Sequence, residues 1–440
     1  MSEINVVGAG LAGCEAAYQA SRLGVKVRLY EMKPQKYTPA HKSPKFAELV
    51  CSNSLRAAQV TNAIGLLKQE LRMLGSLIME AADESRVEAG GALAVDRELF
   101  SSYITDKIRN DENIEIIEGE VTEIPDGITV IATGPLTSDA LSAEIAELTG
   151  QSQLHFFDAA APIISADSID MDVCFYQSRY DKGEAAYINC PMDKEQYLAF
   201  YNALINAERA ELHGFDKDPR VFEGCMPVEV MARRGEDTLR YGPMKPVGLT
   251  DPRTGGEPYA AVQLRAENRE KTMFNIVGFQ TNLTFSEQRR VFGLIPGLQN
   301  AEFLRYGVMH RNTYLSSPGL LSADYGMINR PGLYFAGQMT GVEGYVESTG
   351  SGFIAGINAA RRALGQPPFI FPDTTELGAM AKYVSAAETK DFQPMNANFG
   401  IIAPITEKVR GGKRKRYEYL AERAIKEVER IAGEGSFLPN

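Results

Sequence analysis

The sequence has few cysteines and no long apolar run, and both absences narrow the kind of protein it can be. Its five cysteines are widely spaced, form no Cys-x-x-Cys pair and have no histidine at metal-ligand spacing. This pattern favours reduced cytoplasmic thiols over a disulfide scaffold or a metal centre. No stretch reaches the roughly 18 apolar residues that a membrane span requires, so we expect none. The first residues show neither a basic region nor an apolar stretch, so we also expect no signal peptide.

The charge is distributed unevenly along the chain. The composition, 44% hydrophobic and 23% charged, is ordinary for a globular protein, and 440 residues predict two or three domains. The net charge of −11 as a whole argues against a nucleic-acid partner. However, residues 81–130 hold 13 acids and 4 bases, whereas residues 225–312 hold 12 bases and 9 acids, and residues 401–440 hold 9 bases and 6 acids. A nucleic acid would therefore approach the two basic segments and avoid 81–130.

The N-terminal segment has the pattern of a dinucleotide-binding unit. A short apolar run at 4–7, a glycine turn, a helical pattern and a second apolar run at 25–30 follow one another. In such a turn the first glycine allows the tight bend, the second lets the backbone approach a pyrophosphate, and the third packs helix against strand. An acid at the end of the second strand can accept hydrogen bonds from a ribose. The predicted cofactor-binding residues here are Gly8, Ala9, Gly10, Leu11, Ala12, Gly13 and Glu31.

Two later segments distinguish FAD from NAD. Residues 127–135 and 332–338 each predict a buried strand that ends in glycine, and a glycine-rich run at 341–356 opens a helix of small residues. They resemble the second and third FAD-contacting motifs of the two-dinucleotide-domain flavoproteins, which adds Thr133, Gly134, Gly337 and Gln338 to the predicted contacts. That group usually has an aspartate where this chain has Gln338, which indicates a particular branch.

The remaining pattern predicts an insertion and a tail. Short strands with Pro- and Gly-rich turns follow Ser152, and the chain must return to supply the last FAD motif. We therefore expect an α/β protein: an FAD-binding Rossmann-like domain (1–151 and 325–372), an inserted α+β substrate domain (152–324) and a helical C-terminal tail (373–440). Apolar residues from Tyr417 to Ile431 recur at helical spacing, so the last helix should dock on the body.

Two cysteines stand at positions that suit chemistry. Cys51 lies between an apolar run and a predicted helix start capped by Asn53 or Ser54, where helix-terminus amides would favour a thiolate. Cys225 lies between Gly224 and Met226-Pro227, in a predicted tight turn that could present its sulfur to a cleft. Free cysteines are usually small buried hydrophobes. We expect that role for Cys14, Cys174 and Cys190.

A basic run near the C-terminus has two interpretations. Its cations are Lys408, Arg410, Lys413, Arg414, Lys415 and Arg416. One interpretation is a solvated helix start. The other is a phosphate-binding patch, with Gly411 and Gly412 for flexibility and Tyr417 and Tyr419 as stacking surface.

Over nearly its whole length the chain resembles the bacterial folate- and FAD-dependent tRNA (uracil-5-)-methyltransferases, relatives of the GidA-type tRNA-modifying flavoproteins. The strings that carry the resemblance are Gly8–Gly13, Leu49–Ser54, Glu223–Glu229, Ala336–Tyr345 and Phe392–Gly400. Gln338 is the residue expected in this branch. The resemblance implies methyl transfer without S-adenosylmethionine: methylenetetrahydrofolate supplies the carbon, reduced flavin the electrons, and a T-loop uridine of tRNA accepts the methyl group. NADPH or NADH regenerates the reduced flavin.

The same resemblance implies roles for individual residues. Cys225 corresponds to the nucleophile that adds to uracil C6, because such an addition makes C5 nucleophilic. Cys51 corresponds to the second family cysteine, either the base or the partner of a flavin-bound methylene. His310 would lie against the folate pterin ring, Arg311 or Asn312 could bond its edge, and Tyr345 would line the flavin face. The basic run would contact tRNA phosphates. The implied setting is cytoplasmic, with no membrane, no metal and no obligate protein partner.

The FAD motifs and the basic run leave two alternative functions open. A GidA-type flavoprotein that modifies wobble uridine would have a different C-terminal extension and lacks the Gly224–Pro227 context. A non-catalytic, flavin-bound tRNA-binding protein would keep the FAD motifs and the basic run but gives no reason for paired thiols.

Overall fold

The computed structural model describes residues 2–150, 154–181, 184–210, 226–387, 392–406, 409 and 411–435, with backbone alone for 154–158 and 310–313. The helices are α1 (Leu11–Arg22), α2 (Ala63–Met73), α3 (Leu77–Glu84), α4 (Arg97–Arg109), α5 (Asp139–Thr149), α6 (Lys194–Ile205), α7 (Val228–Ala232), α8 (Phe285–Phe292), α9 (Tyr345–Ala363), α10 (Glu376–Ser385) and α11 (Gly412–Glu434). The strands are β1 (Glu3–Val7), β2 (Lys26–Glu31), β3 (Ser54–Ala57), β4 (Arg86–Val87), β5 (Ala92–Val95), β6 (Ile114–Glu118), β7 (Thr129–Ile131), β8 (Leu154–Ala159), β9 (Ile163–Ser165), β10 (Phe175–Tyr176), β11 (Tyr187–Met192), β12 (Ala260–Ala266), β13 (Met273–Ile276), β14 (Phe303–Arg305), β15 (Met309–Tyr314) and β16 (Leu333–Phe335).

A five-stranded parallel sheet forms the first layer, in the order β16-β7-β1-β2-β6. The apolar residues of β1 and β7 are buried, as expected for a parallel sheet covered on both faces. The strand pattern at 332–338 supplies β16, which pairs with β7 through Leu333 and Thr129. The predicted α/β class with a Rossmann-like core is confirmed by this sheet and its crossover helix α1.

Helices α1 and α9 pack on the parallel sheet with very close backbones. A Cβ atom at Gly352 would lie 2.2 Å from the carbonyl oxygen of Ala12, and one at Gly356 would lie 2.5 Å from that of Ala16. Only glycine permits this approach, because any side chain would force the helices apart. The small-residue helix predicted after Gly341 is therefore α9, and it covers the start of the chain.

A second sheet has its own core. Its six strands are antiparallel, in the order β10-β11-β12-β13-β9-β14, and all of them lie between Ile163 and Arg305. Helices α6 and α8 pack on it through buried residues such as Phe200 and Phe292. The two-stranded ladder of β8 and β15 lies where the chain enters and leaves this region. The layout suits an insertion, and the domain boundaries at 151 and 324 stay a prediction.

The C-terminal part lies against the first layer. Helix α11 buries Leu420, Ala424, Val428 and Ile431, as its helical periodicity predicted. The described stretch 392–406 contains no helix and instead runs beside the last FAD motif, where Met395 forms a bridge with Val342. None of the helices in the described ranges is long and apolar enough to cross a bilayer.

Candidate cofactor cleft and cysteine loop

A cleft open to solvent lies at the carboxyl ends of the parallel strands. This edge is where open α/β sheets bind their ligands. The predicted cofactor residues that line it are Gly8, Ala9, Gly10, Leu11, Ala12, Glu31, Thr133, Gly134, Gly337, Gln338 and Tyr345. Gly13, the remaining one, lies behind the cleft wall.

The three glycines of the first turn have different surroundings. Gly8 has a φ of +98°, and a Cβ there would lie 2.8 Å from the backbone of Thr133. A Cβ at Gly13 would lie 1.7 Å from the carbonyl oxygen of Gly8, so this glycine packs helix against turn. A Cβ at Gly10 would meet no atom within 4 Å. Gly10 is also the N-cap of α1 and offers no side-chain cap, so the first amides of α1 are available to an anion in the cleft.

Glu31 holds the glycine turn in place. Its Oε2 accepts a hydrogen bond from the backbone N–H of Ala9 at 2.9 Å, and its Oε1 accepts one from the N–H of Lys33 at 3.0 Å. A carboxylate has about four lone-pair sites, so acceptor capacity remains for a hydroxyl in the cleft. The sequence predicted only a ribose contact for this residue and missed its link to the turn.

The last motif explains why residue 338 is a glutamine. The Gln338 Nε2 donates to Glu343 Oε2 at 2.6 Å, and the N–H of Gly337 donates to Ser351 Oγ at 2.7 Å. An aspartate at 338 would place a second negative charge beside the buried Glu343 carboxylate, which costs free energy. The amide instead supplies a donor.

The surroundings of Cys51 correct one expectation. No helix starts after Cys51: the chain continues into the short strand β3, and α2 begins only at Ala63. The predicted cap Asn53 instead donates from Nδ2 to the carbonyl oxygens of Val95 and Ala266, both at 3.0 Å. The prediction of a helix start directly after Cys51 was therefore wrong.

Cys51 belongs to a loop that is tied to the cleft. The Tyr345 hydroxyl oxygen accepts hydrogen bonds from the N–H groups of Cys51 and Ser52, at 2.8 and 3.2 Å. The Cys51 thiol donates to the carbonyl oxygen of Ala159 at 3.7 Å. Burial and the nearby Cys51 raise the pKa of Tyr345, so its hydroxyl stays protonated. Tyr345 thus lines the cleft and fixes the half-buried cysteine beside it.

Three arginines hold the same loop, and sequence reasoning did not connect them with it. Arg97 donates to the carbonyl oxygens of Leu49 and Cys51, and Arg305 donates to that of Val50 at 2.7 Å. Arg265 donates to Asn53 Oδ1 at 3.0 Å and Ser52 Oγ at 2.9 Å. They come from α4, β14 and β12, which are distant in sequence.

Only one of these arginines is neutralised by a buried acid. The Arg97 Nε lies 2.5 Å from the Glu267 carboxylate. Burial would lower the pKa of Arg97, but the Glu267 charge outweighs it and raises this pKa. Burial and the Arg97 charge lower the pKa of Arg305. Among the described residues neither Arg265 nor Arg305 forms an ion pair, so two guanidinium groups without a carboxylate at ion-pair distance hold this loop.

Cys225 lies outside the described residues, but its C-terminal flank is described. Glu229 accepts hydrogen bonds from Thr281 Oγ1 and from the N–H of Asn282, both at 2.8 Å. Burial raises the pKa of this carboxyl. The N–H of Thr281 donates to the carbonyl oxygen of Ala160, next to the residue that accepts from Cys51. These bonds connect the segment after Cys225 with the Cys51 loop.

The remaining predicted residues fall into three groups. His310 and Arg311 lie on β15, opposite Asp158 and Phe157 of β8, and the description extends to their backbone only. Lys408 and Arg410 lie outside the described residues. The cations of 413–416 occupy the exposed first turn of α11, which holds no acid.

The positive charge of this first turn is partly neutralised by an acid in the next turn of α11. Arg414 and Lys415 both pair with Glu418, and the Lys413 ammonium lies 5.4 Å from the centre of the Tyr417 ring. Tyr417 itself packs on Phe399. Tyr417 is therefore largely occupied by protein contacts, which leaves less ring face for the stacking role that the sequence suggested.

The other cysteines lie in the core, as the sequence predicted. Cys14 is buried in α1 and donates to the carbonyl oxygen of Ala9, and Cys174 and Cys190 are buried with their sulfurs 3.4 Å apart. Within the described ranges, no group of three His, Cys, Asp or Glu residues is placed to hold a metal ion.

Comparison with known proteins assigns the family. The family described as glucose inhibited division protein A matches residues 3–367. A methylenetetrahydrofolate--tRNA-(uracil-5-)-methyltransferase TrmFO of Lactobacillus acidophilus is 60% identical over 427 residues, 97% of each chain. Its namesake from Lactobacillus delbrueckii subsp. bulgaricus is 60% identical over 98% of each chain. A solved structure of Aquifex aeolicus GidA shares the fold, with a TM-score of 0.70 and 18% identity over all of this chain and 74% of that one. The chain therefore belongs to the glucose inhibited division protein A family and, with its 60% identical relatives, to the TrmFO methyltransferases.

Proposed function

We infer that this chain transfers a methyl group to C5 of a uridine in tRNA, with methylenetetrahydrofolate as carbon donor and FAD as bound cofactor. The reaction is the one named for relatives that match it from end to end at 60% identity. The single structural observation that carries the proposal is the position of Tyr345. Its ring lines the dinucleotide cleft while its hydroxyl accepts from Cys51, so redox cofactor and thiol would meet at one place.

The residues of the cleft fit an FAD molecule. The open space at Gly10 and the first amides of α1 suit a pyrophosphate, and Glu31 suits a ribose. Thr133, Gly134, Gly337 and Gln338 would complete the cofactor contacts. When bound and reduced, the flavin supplies the electrons that convert a methylene into a methyl group. We propose NADPH or NADH as the source of these electrons.

The chemistry at uracil needs a thiol, because C5 alone is a poor nucleophile. In our proposal the Cys225 sulfur bonds to C6, and the electron pair of the C5–C6 double bond moves to C5, which then attacks the methylene carbon. A base removes the C5 proton, and the bond between the methylene carbon and its folate nitrogen breaks with the electron pair on nitrogen. The methylene then accepts a hydride, the C5–C6 double bond re-forms, and the C6–sulfur bond breaks to release the thiolate. Cys51 is the candidate for that base or for contact with the methylene carrier. Arg97 and Arg305 position Cys51 through the backbone carbonyls around it.

The substrates would approach from different sides. We propose that His310 and Arg311, on the strand that pairs with the Asp158–Ala159 region, contact folate. The proposed tRNA contacts are Lys408, Arg410 and the cations of 413–416, which lie on a helix start without acids. The acidic segment 81–130 would face away from tRNA. Such a reaction belongs in the cytoplasm and needs no protein partner or membrane.

One assay tests the proposal. Purified protein, FAD, NADPH, methylenetetrahydrofolate and an unmodified tRNA transcript are combined, and 5-methyluridine in the T-loop is quantified. We expect product with the wild type, none with Cys225→Ala or Cys51→Ala, and near-normal product with Cys190→Ala, whose sulfur lies in a separate core. Absence of product with flavin-loaded wild type, or full activity of Cys225→Ala, would refute it. Modification at a wobble uridine instead would indicate the GidA-type reaction.

A further inference from the structure

A stack of three aromatic rings, of which two are half-buried and one is exposed, lies on the six-stranded sheet region. Tyr306 stacks with Phe285, at 4.5 Å between ring centres and 17° between planes, and with Phe303, at 5.2 Å and 6°. Phe285 is 51% exposed, although a phenylalanine of a globular protein gains free energy by burial. The stack therefore presents an open aromatic face to its surroundings.

An arginine and a buried clamp keep these rings in place. The Arg289 guanidinium lies 5.3 Å from the centre of the Tyr306 ring, and its Nε donates to the Tyr306 hydroxyl. The fully buried Gln288 exchanges two hydrogen bonds of 2.8 Å with the backbone of Gly307. This clamp joins α8 to the residue after Tyr306, so the rings are held before any ligand arrives and binding would cost little ordering entropy.

Residues next to the stack in sequence bond to the Cys51 loop and to the described segment that follows Cys225. One residue before Tyr306, Arg305 donates to the carbonyl oxygen of Val50, which lines the cleft next to Cys51. Three residues before Phe285, Asn282 donates to Glu229, which belongs to the segment that follows Cys225. Asn282 also exchanges hydrogen bonds with the backbone of Ala210, which precedes Cys225 in the chain. Direct hydrogen bonds therefore connect the surroundings of the stack with the Cys51 loop and with Glu229.

We propose that Phe285, with Tyr306 and Phe303 behind it and Arg289 beside it, is a stacking site for an unpaired base of the substrate tRNA. The proposal rests on the proposed function, since it assumes that tRNA is the substrate. Aromatic side chains and arginine are the groups on which proteins stack unpaired bases, and stacking accepts any base because each has a π-face. Arg289 of the same helix suits an adjoining phosphate, whereas Arg290 is paired with Glu287. Because the target uridine must leave its own stack to be modified, a neighbouring base loses a stacking partner that such a platform would replace.

A tryptophan variant reports on this contact directly. The chain has no tryptophan, so Phe285→Trp introduces a single indole at the stack. We expect its fluorescence to be quenched when flavin-loaded protein is titrated with unmodified tRNA, with affinity equal to or tighter than that of the wild type. The matched control is Tyr241→Trp, at an 83% exposed ring beside another arginine and outside the platform. Its fluorescence should not change, and equal quenching of both variants would overturn the proposal.

Removal of the ring gives the second test. We expect Phe285→Ala and Phe285→Leu to weaken tRNA binding roughly 5- to 150-fold, because stacking on one ring contributes that much. KM for tRNA should rise while kcat and flavin content stay near wild type, and Tyr241→Ala should change none of the three.

Unchanged tRNA affinity in Phe285→Ala would refute the platform even if wild type forms 5-methyluridine. Loss of tRNA affinity in Phe285→Ala with an inactive wild type would instead refute the proposed reaction. A change of oligomeric state without a change in tRNA affinity would assign the stack to contact between copies and also overturn the proposal.

Discussion

Replacement of Gly10 by alanine separates cofactor binding from folding. Gly10 has a φ of −77°, which alanine adopts without strain, and its Cβ would meet no protein atom within 4 Å. Alanine is a poorer N-cap than glycine, so we expect a loss of stability of no more than about 1 kcal/mol. The added methyl group would occupy the space of the predicted pyrophosphate. Crowding of this kind costs about 1–3 kcal/mol, which corresponds to roughly 5- to 150-fold weaker FAD binding.

Two other glycines serve as comparisons for this variant. Gly91 has equally free space around its Cβ position but lies outside the cleft, so Gly91→Ala should leave both FAD binding and stability unchanged. Gly13→Ala should destabilise the protein itself, because the new Cβ would lie 1.7 Å from the Gly8 carbonyl oxygen. The assay is equilibrium dialysis of flavin against apoprotein, together with thermal unfolding. If Gly10→Ala binds FAD as tightly as Gly91→Ala does, the start of α1 is not the pyrophosphate site.

Three further predictions follow from the geometry. Tyr345→Phe removes the acceptor for the N–H of Cys51, so methyl transfer should fall at least tenfold while flavin content stays normal; equal turnover would contradict the positioning role. Burial raises the pKa of Glu70 from 4.5 to about 7. Between these two pH values the Glu70 carboxyl keeps its proton in the native state but has lost it in the unfolded chain. The free energy of unfolding should therefore fall as pH rises from about 5 to 7, and Glu70→Gln should flatten that fall by about 3 kcal/mol in urea titrations; an unchanged slope would count against it. Glutamine at all four positions of 413–416 should weaken tRNA binding and reduce its salt dependence, whereas Glu418→Gln, which frees two cations, should strengthen it; no change in either variant would assign this run to a solvated helix start.

The fold was largely predictable because its signals are local. The glycine spacing before α1, the apolar run of β2 and the small residues of α9 each encode their own geometry over a few residues. The same local patterns named residues that the structure brings together at one cleft, and their contact with FAD stays a prediction.

The Cys51 loop was not predictable in this way. Asn53 and Ser54 have the composition of a helix cap, but the Asn53 side chain bonds with carbonyls from β5 and β12, and the chain extends into β3. Arg97 stands in the most acidic segment of the sequence, and Arg265 and Arg305 stand far along the chain. Only the packing of α4 and the six-stranded sheet against this loop brings their guanidinium groups together, and no spacing in one sequence records it.

The pairing of β16 with β7 also has a consequence for how the protein is made. Roughly 200 residues separate Ile131 from Leu333, and at about 5–20 residues per second a ribosome needs some 10–40 s to synthesise them. During that time β7 has an open edge, and α1 lacks the glycine face of α9 that covers it. The six-stranded sheet, whose strands all lie in this interval, emerges in full before the parallel sheet is closed. The cofactor cleft is therefore completed late in translation, so the unfinished N-terminal part must wait with an exposed strand edge, where it is open to chaperones and to aggregation.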